Sequence, residues 1–431
     1  MRSVAPDYRL DPRRWTVFAV ISLVYFFVYF HRVSTSVIVS DLLAAFDTNA
    51  TALGVMSSMY FYLYAIEQPA VGYLTDRLGP RRVIGWWSVA AAAGCFLFAM
   101  APTIGWASAG RALIGLGVGG VYVPAIKAIS QRFRKSEFST MLGLLMSVGN
   151  IGAVIATTPL AWMAVTWGWR PTFALIGAAT LVLAAATFWL ARDPQTSRSS
   201  SDALPASGAD GCPRSASGAM TVLTSAQFWT IGAIFFGIYG TLVTLQGLWA
   251  TPFLMAAFGI ERILASKINM LIPLGVIIGA PAFGWLGDRF SRNKARILTA
   301  IIVIYSTTWA AMIWFFQWLG IPGTAAVFFV MGVVTGGFIS ILWGIVRETT
   351  PSRILGLTSG LLNVAPFLGV AAFQVITGAI LGRNGRVGQA YAQAGYHQAF
   401  LACLAGIVLC LILSLFLDRQ VRQTHAVSST R

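Results

Sequence analysis

The chain is a succession of apolar runs separated by short polar turns. A helix needs about 20 apolar residues to cross a bilayer, and twelve runs approach or exceed that length. They cover residues 15–39, 51–74, 83–100, 104–130, 138–164 and 172–191, then 227–252, 264–286, 297–318, 325–346, 354–381 and 399–417. Residues 192–224 separate the sixth run from the seventh. This stretch is rich in Ser, Ala, Pro and Gly and has no apolar periodicity, so it reads as a flexible tether. The pattern predicts an all-α polytopic membrane protein of twelve transmembrane helices in two six-helix bundles. The implied divisions are a tail at 1–14, a first bundle at 15–191, the linker at 192–224, a second bundle at 225–417 and a tail at 418–431.

The two halves repeat one another. Gly72-Tyr-Leu-Thr-Asp76-Arg77 follows the second run, and Gly284-Trp-Leu-Gly-Asp288-Arg289 follows the eighth, 212 residues later. Gly115, Gly119, Gly120, Gly143 and Gly152 recur as Gly332, Gly336, Gly337, Gly360 and Gly369, each 217 residues on. Two independent sets of matched positions indicate an internal duplication, hence pseudo-symmetric halves. Glycines at four-residue spacing clear one helix face for close backbone approach, either as static packing or as packing that slides.

Composition strengthens the membrane reading. Charged residues are 10% of the chain, against about 25% in a soluble protein. The net charge of +16 does not indicate a nucleic-acid partner, because the basic residues alternate between loops. On one side lie 22 of them, and only Arg170, Arg262, Lys267, Arg383 and Arg386 lie on the other. By the positive-inside rule both termini are cytoplasmic, and the compact loops suit a bacterial inner membrane. Three of the four cysteines lie in apolar runs, which argues against a disulfide framework. No Gly-Lys dipeptide exists, so a phosphate-binding P-loop is excluded. No metal-ligand spacing or nucleophile–base pair is visible, so neither an enzyme nor a metal or cofactor is expected.

The paired Gly-x-x-x-Asp-Arg loops and the glycine-rich fourth and tenth runs resemble the major facilitator superfamily. That resemblance covers the chain from the first helix to the twelfth. It implies a secondary transporter that alternates access to a central site, working as a monomer in the lipid bilayer on a small-molecule substrate. It assigns Gly72, Asp76, Arg77 and Arg81, with Gly284, Asp288 and Arg289, to gating. A carboxylate at a helix end beside arginines can cap and pair in one conformation and release in another.

Charges inside the spans are few and expensive, so each points to a cavity or a partner. Arg32 lies 17 residues beyond Trp15, about 25 Å along a helix, too deep to reach the interface easily. A guanidinium there suits a carboxylate or phosphate; an internal salt bridge is the other reading. Tyr29, Tyr60, Tyr64, Gln246 and Asn363 are candidate substrate contacts beside it. Glu67 is the only acid deep within a span. With His31, and with Arg111 on the resemblance of Arg111-x-x-x-Gly115 to a superfamily pattern linked to proton-coupled antiport, it forms the candidate proton-coupling set, protons being the expected second partner. A permanent ion pair of Glu67 with Arg32 or Arg111 is the other reading. Lys127 is expected to snorkel to the interface.

Tyr29-x-His31-Arg32 and the stretch through Pro124 and Lys127 look like the organophosphate:phosphate antiporters and anion:cation symporters, which imply a substrate-binding arginine at position 32. Two departures stand out: the seventh helix has no basic residue, and the fourth has no acid near Gly119. An organic anion is the leading substrate class. A proton-coupled exporter of drugs or other hydrophobic compounds, and a non-transporting membrane sensor of the same fold, are the alternatives.

Overall fold

A computed structural model describes residues 13–190, 223–290, 293–350, 355–387 and 390–429. Twelve helical rods account for nearly all of it. The first half holds α1 (Arg14–Val33), α2 (Ala50–Leu78), α3 (Pro80–Ala99), α4 (Ile104–Gly119 and Tyr122–Arg132), α5 (Lys135–Ile155 and Thr158–Trp167) and α6 (Trp169–Leu190). The second holds α7 (Ala226–Thr244, a π-turn at Leu245–Trp249, then Ala250–Phe258), α8 (Arg262–Asn269 and Leu271–Arg289) and α9 (Lys294–Trp314). It ends with α10 (Phe316–Thr349), α11 (Leu355–Leu362 and Val364–Arg383) and α12 (Gln393–Ser429). A two-residue antiparallel pair, Arg386–Val387 with Ala390–Tyr391, joins α11 to α12. Most of the expected linker lies outside the described residues.

Eleven rods are long and apolar enough to span a membrane, counting the bent α5 as one. The twelfth, α2, has the length, but its tyrosines, serines, Glu67 and Gln68 dilute its apolar character. Polar residues in a spanning helix imply that it faces protein or a water-filled cavity rather than lipid. Local chemistry fixes the rod ends. The Asn49 side chain accepts a hydrogen bond from the Ala52 amide and starts α2. Gly79 takes φ 83°, a conformation that favours glycine, and Pro80 then opens α3.

The duplicated glycines make equivalent contacts. A side chain on Gly115 would strike the Tyr60 carbonyl of α2, and one on Gly332 would strike the Ile272 carbonyl of α8. Gly152 meets the Phe26 carbonyl of α1, as Gly369 meets the Phe236 carbonyl of α7. These four positions therefore bring backbones into contact within each half. Gly143 and Gly360 differ: both face open space, at the basic ends of α5 and α11.

The halves touch at the ends opposite the basic loops. There α2 packs along α11, and α5 meets α8. Thr51 donates to the Gly378 carbonyl at 3.3 Å, and Ser36 and Thr251 share a hydrogen bond at 2.9 Å. Asn269, fully buried, donates to Ser36 and to the Gln246 carbonyl at 3.1 and 3.0 Å. Arg262 and Asp41 form an ion pair across the same seam.

Candidate functional site: a central cavity with a buried arginine

Toward the basic ends the halves part. They leave a cavity of about 1040 Å³ between α1, α2, α4, α5, α7, α10 and α11. Gln68 and Gly72 of α2, Ile126 of α4, Trp343 of α10 and Gly360 of α11 are among its lining residues. Arg32 lies on its wall and is only 6% exposed.

Arg32 is held by both halves. Its Nη1 donates to the Tyr239 hydroxyl of α7 at 2.9 Å. Its guanidinium carbon lies 4.4 Å from the Tyr29 ring centre, 5.1 Å from Phe367 and 5.5 Å from Tyr64. Aromatic faces attract a cation without neutralising it. Among the described residues no carboxylate pairs with Arg32, and its Nε has no protein partner. An uncompensated charge in a membrane interior costs about 2.5–3.5 kcal/mol or more. An anion entering the cavity would recover that cost.

The other candidates separate into two groups. Tyr29, Tyr64 and Asn363 line the cavity with Arg32, Asn363 where α11 breaks. Tyr60 and Gln246 do not. Tyr60 is fully buried and donates to the Val28 carbonyl at 2.9 Å, tying α2 to α1. Gln246 sits in the π-turn of α7, where its carbonyl serves the closed seam.

Glu67 stands beside the cavity, not on its wall. Tyr64 and Gln68 face the cavity, and Glu67 turns toward α3 and α4. Its Oε2 accepts from the Trp87 indole at 2.7 Å. Its Oε1 is buried without a partner and occupies the space that a Gly119 side chain would fill. Neither Arg32 nor Arg111 pairs with it. Arg111, 1% exposed, donates to the His31 carbonyl at 3.1 Å and lies 4.9 Å from the Tyr60 ring centre. The His31 ring points away from the cavity, with Nε2 3.6 Å from Cys95 Sγ.

The paired loops sit at the basic ends. Gly72 lines the cavity mouth, and Gly284 lies beside Ser340. Arg77 stacks on Tyr73 and Arg289 on Trp285, at 4.6 and 5.6 Å. Arg81 donates to the Phe188 carbonyl of α6. The side chains of Asp76 and Asp288 lie outside the described residues. Lys127 does not simply reach outward: its Nζ donates to the Thr75 carbonyl at 3.1 Å.

Sequence reasoning missed Tyr239 and Phe367, the second-half partners of Arg32. An aromatic residue in an apolar helix carries no sign of which way it faces. It also missed Trp87, for the same reason.

The family model described as Major Facilitator Superfamily matches residues 21–374. The gentisate transporter of Corynebacterium glutamicum is 28% identical over 425 residues, covering 95% of this chain and 90% of that protein. The probable galactarate/D-glucarate transporter of Escherichia coli is 23% identical over 439 residues, covering 94% of each. Among solved structures, a bacterial homologue of the human lysosomal transporter Spinster, inward-facing and occupied, superposes with a TM-score of 0.74 at 16% identity. That alignment covers 95% of this chain and 97% of the other.

Proposed function

Since the chain belongs to the Major Facilitator Superfamily, we propose that it is a secondary transporter moving a small organic anion by alternating access, with Arg32 as the anion site. One observation carries this reading: Arg32 is a buried cation on a cavity wall, framed by aromatic rings and a hydroxyl, with no carboxylate among the described residues to satisfy it. The names of the two relatives support an organic anion. They differ too much in chemistry, an aromatic acid and sugar diacids, to select one.

The distribution of basic residues supports cytoplasmic termini in a bacterial inner membrane. On that orientation the cavity opens to the cytoplasm and the seam of Asp41, Arg262, Ser36, Thr251 and Asn269 closes the outer face. Alternating access then requires the seam to open while the basic ends of α2 and α5 close on α11 and α8. Gly143 and Gly360, which face open space here, leave room for that closure. Gly72, Asp76, Arg77 and Arg81, with Gly284, Asp288 and Arg289, are the latch of the closed inner face. Residues 192–224 are the tether between halves, and one chain is the working unit.

Glu67 is the proton site. It carries a buried, unpartnered oxygen one helical step from the cavity-lining Tyr64 and Gln68, and its partner Trp87 can donate to the carboxylate. His31 and Arg111 lie behind Tyr60 and act on the site electrostatically.

The aromatic walls favour a second reading, an exporter of hydrophobic compounds. Flux in vesicles reconstituted with the purified chain separates the two. Anion uptake that responds to an inward proton gradient and is lost in Arg32→Ala supports the first. Movement of apolar or cationic compounds that survives Arg32→Ala supports the second. Absence of any flux favours a sensor.

A further inference from the structure

The proposal rests on the reading of Arg32 as the anion site and concerns what the anion carries. We infer that the cavity selects a monoanionic carboxylate with an aromatic body, over polyhydroxylated acids and dianions.

Three features of the wall lead there. The first is charge. Among the described residues Arg32 is the only basic one lining the cavity, and none of them that line it is acidic. One carboxylate is therefore matched. A second would be desolvated with no partner, and a cationic group on the substrate would meet no counter-charge.

The second is the supply of hydrogen bonds, which comes mostly from ring-borne groups and is partly committed. Gln68 Nε2 already donates to the Tyr64 and Gly119 carbonyls at 3.1 and 3.3 Å. The Tyr25 and Tyr29 hydroxyls both rest on Met146 Sδ, at 3.5 and 3.9 Å. Tyr239 accepts from Arg32 and keeps only its own O–H to donate. What remains is Asn363 and Ser359 of α11, the Tyr64 and Tyr122 hydroxyls and the Trp343 indole, mostly single polar atoms on the rims of rings. A sugar acid needs a partner for each of its hydroxyls and a flat aromatic acid needs few, and a mismatch of this kind separates substrates strongly.

The third is the surface that remains. Tyr64 of α2 and Phe367 of α11 sit 4.3 Å apart, centre to centre, and Phe367 lies 6.0 Å from Tyr239. Tyr25 stacks on Tyr122 at 5.6 Å, and Phe235 meets Trp343 at 5.3 Å. Rings from both halves thus surround the cation. A flat aromatic body can stack on them while its carboxylate reaches Arg32. Phe367 touches the guanidinium and both neighbouring rings, which makes it the specificity-determining residue.

The test is a binding competition on the full-length purified chain, read by thermal stabilisation and by isothermal titration. The probes are benzoate and 2,5-dihydroxybenzoate, phthalate as aromatic dianion, galactonate as polyhydroxylated monoanion, and hydroquinone as neutral ring. The aromatic monoanions are expected to bind at least about tenfold more tightly than galactonate or phthalate, with hydroquinone weakest. Phe367→Leu should shrink the benzoate-to-galactonate ratio severalfold, while Phe367→Tyr retains the ratio. Equal or tighter binding of galactonate or phthalate, still lost in Arg32→Ala, overturns the aromatic inference and leaves the anion site standing. Binding of none of the anions, or anion binding indifferent to Arg32→Ala, overturns both.

Discussion

Arg262 grips both carboxylate oxygens of Asp41, at 2.6 and 2.8 Å, across the seam between the two bundles. The pair is partly buried, with side chains 16% and 25% exposed. A bidentate pair in such a setting is worth on the order of 1 kcal/mol. It belongs to the conformation whose cavity faces the basic loops, so it stabilises that state over its opposite. Asp41→Asn and Arg262→Gln should each shift the equilibrium by about fivefold toward opening of the seam. The exchange Asp41→Arg with Arg262→Asp should restore the balance. Distances between spin labels on the two sides of the seam would show it. Unchanged distances in both single variants would make the pair incidental.

Arg32→Lys keeps the charge but loses the planar fork and the stacking on Tyr29 and Phe367. Lysine is a compact, strongly hydrated cation and a poor substitute at such a site. Anion affinity should fall at least about tenfold. Tyr239→Phe removes one partner of Nη1 and should cost less, roughly threefold to tenfold. Titration of the purified variants with an anion that binds the native chain measures both. An Arg32→Lys variant with native affinity would mean that charge alone is recognised.

The proposed loop latch would have its own signature. Asp76→Asn should slow turnover several-fold while substrate affinity stays within about twofold, because a gate changes the exchange between states and not the site. Transport rate and binding constant, measured on the same preparation, decide between this and a plain surface turn. Turnover at the native rate would remove Asp76 from the gate.

Much of this arrangement was legible in the sequence. Long apolar runs locate the rods because a bilayer demands them, and the run that differs most, α2, is the one that carries Glu67. Arg32 stood out because a charge at that depth needs a reason. What could not be read was orientation around each helix. Tyr60 and Tyr64 are one turn apart, yet one is fully buried against Val28 and the other lines the cavity. Gln246 has the polarity of a ligand group, but it lies in the π-turn beside the closed seam. Asp41, in the short helix Val39–Ala45, and Arg262, the first residue of α8, are 221 residues apart, so no local pattern joins them. Only the stacking of the two halves does.

At the basic end, Glu137 accepts a hydrogen bond from the Arg134 amide at 3.0 Å and pairs with Arg14 of α1 at 3.1 Å. The backbone bond first, then the arginine, holds its carboxyl below the usual carboxylate range. A depressed folded-state value means that the contribution to stability is present above the ordinary carboxylate pKa and fades as pH falls through the lowered one. Glu137→Gln should therefore lower thermal stability slightly at pH 7. The gap from the native chain should close in acid. Melting curves of both proteins from pH 7 to pH 3 test this. A gap that stays constant would assign the effect to helix capping by shape alone.

The contact between Glu67 and Gly119 yields the sharpest test of coupling. A carboxyl oxygen sits where a side chain on the fourth helix would begin, and the indole of Trp87 holds the other oxygen. Glutamine is close in shape and can keep the Trp87 bond through its carbonyl oxygen, but it cannot exchange a proton. Glu67→Gln should therefore fold normally and retain exchange of labelled substrate across vesicles at equal pH. Accumulation driven by a proton gradient should be lost. Gly119→Ala should displace the carboxyl and lower both activities, since its methyl group needs the space of Oε1. Gradient-driven accumulation in Glu67→Gln at the native level would show that the proton is carried elsewhere or that no proton is carried. In that case Glu67 acts only as a hydrogen-bonded link between α2 and α3.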